Sequence, residues 1–478
     1  MAADTALLID FGSTYTKLRA IDLDAGDILG SGQGPSTVTT DVTVGLDAAL
    51  RNLEDTIGHL PKFKYRLASS SAAGGLAMIT VGLVKELTAE AARLAALGAG
   101  AKLIGAHAYK LTDNDAAGIV AKNPDILLLA GGTDGGNEET IRWNAEKLAQ
   151  AKLTCPVVIA GNRNAADDIA KDLQALGVDA RIAGNVMPEF NVLDVEPARA
   201  AIRDVFIERI VHAKGIDRAQ SRFDAVLMPT PTAVMEGARL LANGTSDIPG
   251  LGALVVIDVG GATTDVHSIA EGKPAQGGVL QYGLPEPFAK RTVEGDLGMR
   301  HNARTIVETI GADIFSTQSG FDTSKIETLL QTIEADVERL PTNPTEASFD
   351  ATLASFAVAR AMKRHAGRVE IKQSVTGPVT VQYGKDLTDV ETIIGTGGVL
   401  AHGENPEQIL AAALFDNDEA DSLRPKQPKL MVDQTYALYA VGLLADATPE
   451  AALHFAHKNI HSNTIEKKGT SHGRTPAA

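Results

Sequence analysis

The sequence predicts an α/β fold, and three observations carry the prediction. Strands alternate with helices of ordinary length across residues 100–184, as parallel βαβ units require. Two apolar strands, at 7–10 and 254–258, each end on an aspartate followed by glycine and small or hydroxylated residues, LLIDFGSTYTK and LVVIDVGGATTDV. Forty-six glycines imply many tight loops, which suits α/β folds better than helical bundles.

Taken in order, residues 5–23 should form two strands joined by the tip FGSTYTK. Residues 43–58 and 81–97 carry apolar residues three and four apart, the helical spacing, and KELTAEAARLAALGAG ends in glycines as a helix stop does. The segment 100–184 alternates: DILLLAGG is a strand, NEETIRWNAEKLAQ an amphipathic helix, PVVIAGN a strand, AADDIAKDLQALG a helix and VDARIAG a strand. Residues 196–213 read as a helix with Pro197 at its start, and 224–244 as a strand, a double-proline turn and a helix. An antiparallel meander is expected over 254–285, a loop leading into a helix over 292–311, and helices over 323–340 and 347–366. VETIIGTGGVLAH (390–402) is a strand, a glycine turn and a helix start. Two last helices cover 434–445 and 449–461, the second capped by Thr448 with Pro449 in its first turn. The polar tail 462–478 is expected to be disordered.

Length alone suggests about three units of domain size. A net charge of −16 argues against a nucleic-acid partner, which needs Lys and Arg patches. The single cysteine, Cys155, cannot form an intrachain disulfide, which fits a reducing, cytoplasmic setting. The N-terminus lacks the basic region of a signal peptide. No apolar run approaches the ~18 residues of a membrane span.

The two hairpins carry the chemistry. A tight turn aims backbone N–H groups at an anion, and Gly12, Gly260 and Gly261, with Ala262, let the chain approach closely. Ser13, Thr14, Thr263 and Thr264 can donate to phosphate oxygens. Asp10 and Asp258 would repel phosphate directly, so they make sense with Mg²⁺ and its waters between. A third piece, Gly395, Thr396, Gly397 and Gly398, gives a flat backbone shelf and a helix N-terminus suited to an adenosine. Each piece alone is weak, since strand-to-turn aspartates and glycine turns are common in α/β proteins.

Their order is more specific. Phosphate hairpin, proline turn with helix, second hairpin, glycine shelf and small-residue helix together resemble the actin-like ATPase superfamily of sugar kinases, actin and heat-shock chaperones. That resemblance implies a duplicated, two-lobed, ribonuclease H-like fold binding ATP and Mg²⁺. MPTPTAVMEG (228–237) is similar to the chaperones' linking motif, with Thr230 where an acid would stand. In the second linking helix Ala437, Ala440 and Gly442 would permit close packing. RTVEGDLGMR (291–300), with the opening LLIDFGSTYTKLRAID, resembles the glutamate mutase accessory proteins, the MutL family unrelated to the DNA-repair protein of that name. The likeness runs from about residue 5 to about 460. It implies an ATP-dependent chaperone or reactivator whose partners are subunits of an adenosylcobalamin-dependent mutase. The expected units are 1–99 and 185–250 (first lobe), 100–184 (inserted α/β unit) and 251–461 (second lobe).

Other residues have blander readings. GGTDGGNEE follows a strand's carboxyl end, where open sheets hold ligands, but reads first as a plain loop. No GxxxxGK[ST] is present, and GSGQG (30–34) opens no helix. DVHSIA lacks the glycine of the cobalamin pattern Asp-x-His-x-x-Gly, Ala270 standing there, so His267 is a strand residue. His454, His457 and His461 share a helix face and read as solvated. Glu294 and Asp296 either approach the cleft or cap a helix starting near Leu297. Lys17 either reaches the nucleotide or pairs with a carboxylate. Three functions stay open: an ATP-hydrolysing accessory protein, a small-molecule kinase, and a non-hydrolysing nucleotide-gated scaffold.

Overall fold

The structure, a computed structural model, describes residues 4–12, 15–35, 37, 41–70, 76–213, 224–275, 277–375 and 377–460. The expected disorder of 462–478 lies outside these residues.

The first lobe starts with β1 (Thr5–Phe11), β2 (Tyr15–Asp22), β3 (Ile28–Pro35), α1 (Val42–Ile57) and β4 (Tyr65–Ser70). The inserted unit follows as β5 (Leu76–Gly82), α2 (Thr88–Gly98), β6 (Ala101–Ala108), α3 (Asp113–Ala121), β7 (Ile126–Leu129), α4 (Glu139–Gln150), β8 (Val157–Ile159), α5 (Arg163–Ala175), β9 (Ala180–Ile182) and α6 (Glu196–Ala213). The chain then returns to the first sheet as β10 (Ala225–Pro229) and leaves it as α7 (Thr230–Asn243). The second lobe runs through β11 (Leu254–Val259), β12 (Thr264–Ile269), β13 (Leu280–Tyr282), β14 (Ala289–Glu294), α8 (Ala303–Ile310), α9 (Ala312–Ser319), α10 (Thr323–Ala335) and α11 (Pro344–His365). It closes with β15 (Arg368–Ser374), β16 (Gly377–Tyr383), β17 (Thr392–Thr396), α12 (Gly398–His402), α13 (Pro406–Ala411), β18 (Lys429–Val432), α14 (Leu438–Leu444) and α15 (Pro449–Asn459).

The two main sheets repeat one plan. The first has order β3-β2-β1-β4-β10 and the second β14-β12-β11-β17-β18. In each, a central strand pairs antiparallel with the next strand in sequence and parallel with a later one. This is the duplicated, actin-like α/β architecture. Between the sheets lies a core shared by α7, α14 and α15, joining Ala6 and Leu8 of one sheet to Leu254 and Val256 of the other. Helices α7 and α14 cross at glycines: a Cβ on Gly237 would lie 2.4 Å from the Leu438 carbonyl oxygen, and one on Gly442 only 1.8 Å from that of Ala233.

The inserted sheet is all parallel, with order β6-β5-β7-β8-β9. It starts at Leu76, not at residue 100, and α6 packs on it through Ala198, Ile202 and Phe206. The helix expected over 81–97 is therefore a strand end followed by α2. A strand buried on both faces, LAMITVG, shows no alternation to mark it off from a helix. The meander of 254–285 takes its third strand from β14, while β13 joins a separate three-stranded sheet with the hairpin β15–β16.

Candidate functional site

Asp10 sits near the end of β1. Register places Lys17 opposite it on β2, and parallel β4 sets Ser69 at its other side. The β10–α7 junction delivers Thr230, whose Oγ1 donates to Asp10 Oδ1 at 2.6 Å; the Ser69 hydroxyl reaches the same oxygen at 3.4 Å. Burial pushes this carboxyl up, while the Thr230 hydroxyl, Lys17 and Ser69 pull it down, with a net rise.

Asp258 has the matching place on β11, with Asp265 opposite on β12 and Thr396 beside it on β17. Burial, and then the charges of Asp265 and Asp433, push its carboxyl up to about 7 against the pull of Arg291 and Lys17. Asp433, just past β18, is itself buried and accepts from the N–H groups of Ala437 and Leu438 at 2.7 and 3.0 Å. It thereby starts α14 at Leu438 rather than at 434, and Tyr436 takes a left-handed turn with φ 53°.

Both hairpins close with the same turn. The Gly12 N–H donates to the Tyr15 carbonyl at 3.0 Å, and the Gly260 N–H to that of Thr263 at 2.9 Å. A Cβ at Gly12 would come within 2.6 Å of that carbonyl oxygen. These two amides thus shape the turns instead of facing a phosphate, and Gly261 and Ala262 are left exposed at the second tip. Ser13 and Thr14 lie outside the described residues. The GDLGMR segment straps the second turn: Met299 N–H donates to the Gly260 carbonyl at 3.0 Å, and Arg300 and His301 N–H to that of Gly261 at 2.8 and 3.0 Å. Gly298 is required there, since a Cβ would sit 2.2 Å from the Ala262 carbonyl carbon.

A cavity of about 1170 Å³ opens beside this turn, lined by Asp258, Gly260, Gly261, Arg300, Gly397, Gly398 and Tyr436 of the second lobe and by Lys17 of the first. The Lys17 ammonium stands 5.0 Å from the centre of the Tyr436 ring, and its charge acts on both Asp10 and Asp258. Burial, with Asp258 and Asp433 nearby, pushes the Tyr436 phenol up to about 12. Arg300 donates from Nη1 to Asp350 of α11 at 2.9 Å, with a second bond from Nη2.

Several expected roles change. Thr264 is fully buried and its hydroxyl donates to the Leu297 carbonyl at 2.7 Å, so its side chain does not face a phosphate; Thr263, one residue earlier, is half-buried at the turn. Gly395 and Thr396 lie inside β17, and a Cβ on Gly395 would meet Leu410 and Leu400 of the core. The shelf reduces to Gly397, with φ +100° and Val259 against it, and the exposed Gly398. Glu294 and Asp296 are both held by Arg364 of α11, at 2.6 and 2.7 Å, and the helix starts at Ala303 rather than near Leu297. His267 is a buried strand residue whose imidazole is pushed down to about 3 by burial and Arg291. His454 bonds the Ala25 carbonyl, and His461 lies outside the described residues. Cys155 is buried. Sequence reasoning missed Ser69, Arg300, Asp433 and Tyr436. KLMVD, an apolar strand ending on an aspartate, repeats the pattern that marked Asp10 and Asp258 and would have found Asp433.

The family model described as MutL protein matches residues 6–460. The chain belongs to the MutL family. The curated "Protein MutL" of Clostridium tetanomorphum is 45% identical over 458 residues, 96% of this chain and 99% of that one. Among solved structures, xylulose kinase from Bifidobacterium adolescentis is 14% identical, with a TM-score of 0.33 and coverage of 95% of this chain and 93% of the kinase. Gluconate kinase from Lactobacillus acidophilus is 9% identical, with a TM-score of 0.34 and coverage of 97% and 93%. These are distant likenesses, and the fold is carried by the two repeated sheets. No described helix is long and apolar enough to cross a membrane.

Among the described residues no group of three or more His, Cys, Asp or Glu side chains is placed to hold a metal ion directly, so a divalent cation here would be held through its waters. A carboxylate crowded by two others and pushed up to about 7 gains from a cation beside it. Asp10 and Asp258 offer one carboxylate per lobe, Lys17 adds a positive charge for an anionic chain, and the exposed Gly398 leaves space at the cavity wall.

Proposed function

We propose that this chain binds ATP with Mg²⁺ between its lobes and hydrolyses it slowly, and that lobe closure serves an adenosylcobalamin-dependent mutase such as glutamate (methylaspartate) mutase. One observation carries the nucleotide half: Asp258 and Lys17 line a nucleotide-sized cavity, and Lys17 stands opposite Asp10 in the first hairpin's register while its charge acts on both carboxyls. Family membership supports the mutase half.

Asp10 and Asp258 would hold the metal's waters, and Lys17 would meet the phosphate chain. Gly261, Ala262 and Thr263 would face phosphate through the turn backbone, with the nucleoside over Gly397 and Gly398. Bound Mg²⁺ would neutralise phosphate charge, so the protein's task is mostly positioning and electrostatic. Closure can shift the lobes only as far as ATP binds the closed form better than the open one.

Thr230 favours a second reading, the non-hydrolysing scaffold. Its hydroxyl donates to Asp10, so it can accept a bond from water but does not take a proton from it.

The deciding experiment is steady-state ATP turnover with and without a mutase carrying inactivated cobalamin. Stimulation by the mutase that is lost in Asp10→Asn is the expected result. Turnover indifferent to the mutase would move the assignment to a small-molecule kinase, and binding without turnover to the scaffold.

A further inference from the structure

Arg291 on β14 spans two units of the molecule. Its Nη2 donates to Asp265 at 2.6 Å, and its Nη1 to the carbonyls of Leu97 and Ala101, at 3.1 and 3.4 Å, where α2 of the inserted unit ends. The Leu97 carbonyl belongs to the last turn of α2, where a helix carries partial negative charge and welcomes a cation, and Ala101 opens β6 just beyond it. A second arginine, Arg199 of α6, clamps the same helix to the same strand, donating to Leu94 and Ala289 carbonyls at 3.4 and 3.1 Å. The two clamps differ in one respect. Only Arg291 also holds a carboxylate that stands opposite Asp258 in the hairpin register.

The Arg291–Asp265 pair is an expensive way to dock a helix. Both side chains are nearly inaccessible, at 5% and 12% exposure. Each still has a buried atom without a hydrogen-bond partner, Arg291 Nε and Asp265 Oδ1. Replacing such a pair with apolar residues is often neutral or stabilising, so docking alone does not call for it. A guanidinium shared between a carboxylate and backbone carbonyls, with bonding capacity unused on both partners, has a second arrangement within reach. Charge arriving beside Asp258 changes the field at Asp265 in a poorly screened interior, and Arg291 must redistribute between its partners.

We propose that Arg291 is a positioning residue that links nucleotide–metal occupancy at Asp258 to docking of the inserted unit on the second lobe. The inference rests on the nucleotide reading of that site. By reciprocity, whatever pulls the inserted unit away from β14 alters nucleotide affinity by the factor with which nucleotide alters docking. The inserted unit then reports the state of the cleft to whatever the protein engages.

The test is hydrogen–deuterium exchange on the full chain, with ATP plus Mg²⁺ against Mg²⁺ alone, read on the amides of residues 95–103. Titration calorimetry runs alongside to establish binding. The native chain should show an exchange change of about fivefold or more on ATP addition. That change should vanish in Asp265→Asn and persist in Arg199→Lys, which perturbs the neighbouring clamp without touching Asp265. If Asp265→Asn does not fold, Arg291→Lys replaces it, since an ammonium cannot span the carboxylate and both carbonyls. Bound ATP with unchanged exchange in the native chain overturns the link and leaves the nucleotide site standing. Loss of the change in Arg199→Lys as complete as in Asp265→Asn also overturns it, making docking generic. No ATP binding at all removes the nucleotide reading and the link together.

Discussion

Asp10 and Asp258 occupy the same place in two sheets of the same strand order, yet their neighbours are of opposite kinds. Asp10 has two hydroxyls, from Ser69 and Thr230, on one carboxylate oxygen. Asp258 is pushed up to about 7 by burial, with two carboxylates, Asp265 and Asp433, adding to the rise. A repeated backbone has thus been given unequal electrostatics. At the first hairpin hydroxyl hydrogen bonds and Lys17 partly offset the cost of burial, whereas at the second neighbouring carboxylates add to it.

The largest expected effect separates the two carboxylates. Asp10→Asn and Asp258→Asn should each weaken Mg²⁺-dependent ATP binding by about a hundredfold or more, because on the proposed reading each removes a charge that would face the metal's waters. Without ligand they should diverge. Asp258→Asn should raise the melting temperature by relieving buried repulsion, and Asp10→Asn should lower it by disturbing a satisfied hydrogen-bond pair. Thermal unfolding of the two apo variants checks this, and equal shifts would break the comparison.

Next comes the crossing of the two linking helices, where the repeat is again unequal. Gly442→Ala should cost about 3 kcal/mol and Gly237→Ala less, since the added methyl would lie nearer to backbone at 442 than at 237. Denaturant unfolding of both variants orders them.

The smallest effect is a pH slope. Below about 7 the Asp258 carboxyl of the empty site holds a proton that the unfolded chain releases near pH 4, so its contribution to stability falls as pH rises from about 4 to about 7. Cation binding needs the ionised form. Affinity for ATP–Mg²⁺ should therefore rise up to about tenfold per pH unit below 7 and level off above it. Calorimetry from pH 5.5 to 8 reads the slope, which should flatten in Asp258→Asn.

The repeat itself was legible because its signal is local: an apolar strand, an aspartate and a glycine two residues on need no distant partner. The residues that differentiate the two copies were not. Ser69 reaches Asp10 from a strand 59 residues away along the chain, and Thr230 from a helix start 220 residues away. Thr263 and Thr264 looked equivalent in sequence, but only the second is held against Leu297, and adjacent side chains near a strand take opposite sides. Gly395 looked like part of a shelf until the fold put Leu400 and Leu410 against it. The start of the inserted unit was hidden because a doubly buried strand lacks alternation, and the Arg291 clamp because its carbonyl partners carry no sequence signature.

Strand β14 is the outermost strand of the second lobe's main sheet, and α2 lies along it. A shortened protein lacking residues 76–213 would bare that border, and bare borders of sheets recruit one another. The inserted unit therefore cannot be treated as a detachable module. Removing it would expose that edge to pairing with other chains, so its loss would be expected to surface first as poor expression rather than as altered chemistry.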